Sequence, residues 1–161
     1  MAVIGDGKLG LLCAQVIALT GAPVLLVGKH AEKRRIAERR GVASCTVKQA
    51  EKRLREFDVA VEASGSSSGF QLALKLLRPR GKLVLKSTFH GTTEIPAAQI
   101  VVDEISVMGS RCGRFAPALD LLKKGAVDVD SLLSAEYPLA QGVMAMKRAG
   151  EKEVLKVLLR P

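Results

Sequence analysis

Six residues near the start of the chain, Gly5-Asp6-Gly7-Lys8-Leu9-Gly10, have the spacing G-x-G-x-x-G. Glycines cluster by chance in many turns, but here they follow the apolar run Ala2-Val3-Ile4. They also open a segment, Lys8 to about Thr20, in which Leu9, Leu12, Cys13, Val16, Ile17 and Leu19 recur at helical spacing. A glycine turn between a strand and a helix aims unpaired backbone N–H groups and the helix dipole at an anion. In such a turn Gly5 permits the bend, Gly7 lets the backbone approach a pyrophosphate, and Gly10 lets the helix pack close to the strand. Lys8 adds positive charge at the same place. The chemistry implied is the cradling of a dinucleotide pyrophosphate. Two rivals stand beside it: a plain strand-to-helix turn, and an S-adenosylmethionine site. The latter needs a carboxylate at the end of the second strand to hold ribose hydroxyls.

That strand end is the next place to look. An NAD site has Asp or Glu roughly 20 residues beyond the glycine loop, bonded to the ribose 2′-hydroxyl. Here the strand runs out at Val27-Gly28-Lys29-His30, so Gly28 stands where the carboxylate is expected and two potential cations follow. A small residue makes room for a 2′-phosphate, and Lys29 and His30 can pair with it. Lys33 and Arg34, one turn into the next helix, can assist. A hydrogen bond to a charged group contributes about 1.5–3 kcal/mol, so two such contacts suffice to select NADP(H) over NAD. The alternative is an ordinary charged loop.

The chain must also position these residues. Its 161 residues fit one domain, and 48% of them are hydrophobic while only 3% are aromatic, which calls for an aliphatic core. Short aliphatic runs alternate with amphipathic ones. Strands are expected at Ala2–Ile4, Val24–Val27, Ala43–Val47, Asp58–Ala63, Lys82–Lys86 and Ile105–Gly109. Helices are expected from Lys8, Ala31, Gly69, Ala97 and Phe115. This alternation predicts an α/β fold of the Rossmann type, a doubly wound parallel sheet with helices on both faces. After residue 126 the order changes to a strand at Leu132–Tyr137, a helix at Leu139–Ala149 and a strand at Val154–Leu159.

The net charge of +9 attracts polyanions. The basic runs Lys33-Arg34-Arg35 and Arg39-Arg40 read as solvated helix faces, however, and no stacking aromatics interleave with them, so no nucleic-acid partner is expected. Cys13, Cys45 and Cys112 lie far apart without metal-ligand spacing, as reduced cytoplasmic thiols would. No apolar run approaches the roughly 20 residues that cross a bilayer, and no membrane association is expected.

Three stretches together, Val3 to Gly10, Asp58-Val59-Ala60-Val61-Glu62-Ala63-Ser64-Gly65 and Gly81-Lys82-Leu83-Val84-Leu85, resemble the cofactor domain of zinc-type medium-chain alcohol dehydrogenases. The resemblance covers essentially the whole chain. It implies that Ala63, Ser64 and Ser66 line the adenosine side, that Lys86, Ser87 and Thr88 sit near the nicotinamide, and that Leu9 packs behind the nicotinamide ribose and pyrophosphate. It also implies that residues 126–161 are a tail returning to a catalytic domain. The zinc ligands and proton relay of that family precede the cofactor domain, and Met1 already sits in the first strand. The expectation is therefore a piece of a larger enzyme, with zinc only in the missing part and no catalytic residue or turnover here. His90 is a lone loop histidine. The strand ending at Met108 is a sheet edge, and the resemblance implies a homodimer or higher self-association through it. A free-standing nucleotide-sensing module is the alternative reading.

Overall fold

The aliphatic runs become the strands of a sheet whose central members are covered by helices on both faces. The structure, a computed structural model, describes residues 1–88 and 92–161. Six parallel strands lie in the order β3-β2-β1-β4-β5-β6: β1 Ala2–Ile4, β2 Leu25–Gly28, β3 Ala43–Thr46, β4 Phe57–Glu62, β5 Leu77–Leu85 and β6 Ser106–Gly109. The chain order reverses between β1 and β4, and open parallel sheets bind ligands at such a point, beyond the carboxyl ends of the strands. The connecting helices are α1 Lys8–Ala18, α2 Ala31–Glu38, α3 Val47–Ala50, α4 Ser67–Leu76, α5 Ala97–Val102 and α6 Phe115–Lys123.

Two cores flank the sheet. On one face Val3, Leu26 and Val61 pack with Leu11 and Ala14 of α1 and Ile36 and Ala37 of α2. On the other, Ile4, Val27, Ala60 and Leu83 pack with Ala50 of α3 and Phe70, Ala73 and Leu74 of α4. The buried strands β1 and β2 are apolar on both faces, as parallel strands covered by helices must be.

Two local features differ from the sequence expectation, and the tail adds a pairing on which the sequence is silent. A single helical turn, α3, follows β3, because Thr46 and Gln49 form a reciprocal capping box at its start. The fifth strand begins at Leu77 rather than Lys82, with its register against β4 shifting between Phe57 and Val59 and Arg80 in a left-handed conformation (φ 63°). The tail strands β7, Leu133–Pro138, and β8, Lys156–Arg160, pair parallel with each other in a separate two-stranded sheet, bridged by α7, Gly142–Ala149. Leu132 and Leu155 enter the α1–α2 core, and the Gln15 amide exchanges two hydrogen bonds with the Asp128 backbone. The rest of the tail exposes Leu139, Val143, Met144 and Met146.

The junction of β1 and α1 is closely packed. A Cβ on Gly10 would lie 1.9 Å from the Gly5 carbonyl oxygen, a backbone atom that cannot swing aside. Gly10→Ala should therefore move α1 off the loop and destabilise the fold by about 1–3 kcal/mol, as overpacking does. Urea unfolding would register this as a lower midpoint at unchanged slope.

Candidate functional site

Two turns meet at the switch point, and each has a local reason for its shape. The loop from Gly5 to Gly7 hands β1 to α1; Gly7 is the N-cap, no side chain caps the helix, and no acidic residue occupies its first turn. The first amides of α1 are thereby left for an anion. Across from it, β4 ends in Glu62, and the chain turns through Ser64 and Ser66 into α4, which Ser66 caps by accepting from the Gly69 amide at 3.1 Å. Between these turns and the end of β2 lies a cleft of about 380 Å³.

Of the residues singled out from sequence, Gly5, Gly7, Gly28, Lys29, His30, Lys33, Ala63, Ser64 and Ser66 line this cleft. Gly10 is buried in the α1 packing, while Lys8 and Leu9 are exposed on its first turn. Arg34 does not line the cleft: its guanidinium donates to Ser44 Oγ at 3.1 Å and lies 3.9 Å from Glu38. Lys33 lines it but is buried, and its ammonium donates to the Lys152 carbonyl of the tail. Ser64 donates both its amide and its hydroxyl to Glu62 Oε1 at 2.6 Å. On the far side of the β4–α4 turn, Ser87 Oγ accepts from the Gly65 amide, Lys86 Nζ donates to the Arg111 carbonyl, and Thr88 is exposed. His90 lies outside the described residues.

Asp6 was not singled out from sequence, and it is central to the site. Its carboxylate is buried at the end of β2, where Oδ2 accepts from the His30 amide at 2.6 Å and both oxygens lie 3.1 Å from His30 Nδ1. A Cβ on Gly28 would meet Asp6 Cβ and Oδ2 at 2.6 Å. Gly28 lines the cleft on one side, and the space beside its missing side chain holds Asp6. The carboxylate missing from the strand end in sequence is present there in space, contributed by the glycine loop. A buried Asp two residues after a strand, facing a glycine at the neighbouring strand's end, is a signal visible only once β1 and β2 are known to be adjacent.

The remaining chemistry is sparse. Burial pushes the thiols of Cys13 and Cys45 up from their ordinary range, which makes them poor nucleophiles. Among the described residues no three of His, Cys, Asp and Glu gather closely enough to hold a metal ion, so the donor set here does not fit zinc. No described helix is long and apolar enough to cross a membrane.

Comparison with known proteins agrees with this geometry. A family model described as zinc-binding dehydrogenase matches residues 9–124. A sorbitol dehydrogenase of Halalkalibacterium halodurans is 29% identical over 99% of this chain and 51% of its own length. A Sinorhizobium meliloti protein, described as a zinc-binding dehydrogenase and solved bound to NADP, superposes with a TM-score of 0.87 at 27% identity, over 99% of this chain and 52% of its own. L-idonate 5-dehydrogenase of Escherichia coli superposes with a TM-score of 0.88 at 25% identity, over 99% and 49%. The chain thus spans about half the length of the relatives it matches.

The contact between Gly28 and Asp6 makes a testable pair. Gly28→Ala should destabilise the protein by about 1–3 kcal/mol through overpacking. The same change in an Asp6→Gly background should cost clearly less, a coupling that a thermal or urea double-mutant cycle measures.

Proposed function

The chain belongs to the zinc-binding dehydrogenase family, and from that premise we propose that it binds and orients NADP(H) in an oxidoreductase that interconverts an alcohol and a carbonyl compound. When bound, the nicotinamide ring supplies or accepts the hydride. The observation that carries the reading is the cleft itself. The helix start at Gly7 is uncapped, as a pyrophosphate site requires, and Lys29 and His30 line the same cleft. Lys29 is exposed, ready to pair with a 2′-phosphate, while Ala63, Ser64 and Ser66 form the opposite wall.

In this proposal the chain supplies binding and orientation. The zinc, the proton relay and the substrate pocket are assigned to the other half of a longer enzyme, a reading supported by the chain spanning about half the length of its relatives. Self-association is part of the same proposal: β6 is an edge strand that exposes Val107 and Met108, and unpaired edges invite pairing.

A second reading, NAD(H), has one specific observation behind it. Asp6 brings a carboxylate to the end of β2, as NAD sites do. NADP(H) is preferred because that carboxylate is buried and already engaged by His30, whereas Lys29 faces solvent.

Titration of the purified chain with NADPH and NADH tests this. NADPH should bind at least about tenfold more tightly, and Lys29→Ala should remove about tenfold from NADPH while leaving NADH unmoved. Equal affinities, or a preference for NADH, would refute the NADP(H) assignment.

A further inference from the structure

We propose that Asp6 sets cofactor choice, acting as a positioning residue through His30. Its carboxylate holds the Nδ1 side of the imidazole and leaves Nε2 as the nitrogen that reads the 2′-phosphate. The inference rests on the NADP(H) reading above and assigns a role to a residue that the glycine spacing alone leaves as a wild card.

The geometry makes the case. An ionised carboxylate only accepts hydrogen bonds, so Nδ1, 3.1 Å from both Asp6 oxygens, carries a proton and donates it. Nε2 makes no hydrogen bond to another described residue, while the ring lines the cleft and is about one-third exposed. With both ring nitrogens protonated, His30 would lie between two anions, donating Nδ1–H to Asp6 and Nε2–H to the phosphate. Asp6 sits in the space that Gly28 leaves open and is held there by the His30 amide, so it supports the ring in this orientation. The other charged groups facing this space are Lys29 on the same loop, Lys33 on α2, tied to the tail carbonyl, and Glu51 just after α3.

Removing a negative charge beside a phosphate site should ordinarily tighten phosphate binding. If Asp6 works through His30, its removal should loosen it. NADPH and NADH dissociation constants would be measured by ligand fluorescence for the unaltered chain, Asp6→Asn and His30→Gln.

Asp6→Asn should weaken NADPH about tenfold and leave NADH unmoved, and His30→Gln should do the same. Unchanged or tighter NADPH binding in Asp6→Asn would overturn the proposal. So would selective loss of NADH, which would make Asp6 the acceptor of a ribose hydroxyl. If the unaltered chain does not prefer NADPH, the underlying reading fails instead, and the two failures stay distinct. Should Asp6→Asn not fold, nitrogen-15 spectra of His30 in the unaltered chain decide: a protonated Nδ1 supports the proposal and a bare Nδ1 overturns it.

Discussion

Backbone crowding at the carboxyl end of β1 governs the cleft. The chain leaves β1 at Gly5, turns beneath the end of β4, and enters α1 so tightly that a Cβ on Gly5 would lie 2.6 Å from the Ala63 carbonyl oxygen and one on Gly10 would lie 1.9 Å from the Gly5 carbonyl oxygen. One strand away, the end of β2 is pressed against the Asp6 side chain in the same fashion. The glycine loop is thus held between the ends of two neighbouring strands. Such a loop can present its amides to a phosphate without first being ordered by it, and preorganisation of this kind lowers the cost of binding.

The crowding also decides which charges remain for a ligand. Arg34 is taken by Ser44 and Glu38, and Lys33 by the tail. Arg35, Arg53 and Arg148 close short ion pairs along their own helices or just beyond them. The net charge of +9 is therefore largely a property of the surface. The titratable groups lining the cleft are a small mixed set, Asp6, Lys29, His30, Lys33 and Glu51. The tail contributes here as well, since its Lys152 carbonyl pins Lys33 at the rim.

Much of this was legible in the sequence. The alternation of aliphatic and amphipathic runs reports burial on two faces, so the parallel sheet and its helices follow from residue types alone. The glycine loop was legible because its spacing lies between two such runs. What escaped the sequence depends on neighbours distant along the chain. Asp6 reads as a variable position until β1 and β2 are placed side by side. Lys33 and Arg34 read as free cations because their partners, the Lys152 carbonyl and Ser44, lie on other elements. The α3 turn was missed because four residues are too few to show a period, although Thr46 and Gln49 carry the capping signal. The pairing of β7 with β8 in their own sheet could not be read, since residue types and spacing along each strand do not say which strand it pairs with.

The central claim is that the loop from Gly5 to Gly10 and the facing turn from Ala63 to Ser66 together hold a nicotinamide dinucleotide. Backbone amide NMR of the chain with and without NADPH tests it most directly. The account predicts that the largest shifts fall on Gly7, Lys8, Lys29, His30 and Ser64 to Ser66. Shifts centred instead on the second cavity, between Gln15, Arg39 and Arg40, or no shifts at saturating cofactor, would contradict it.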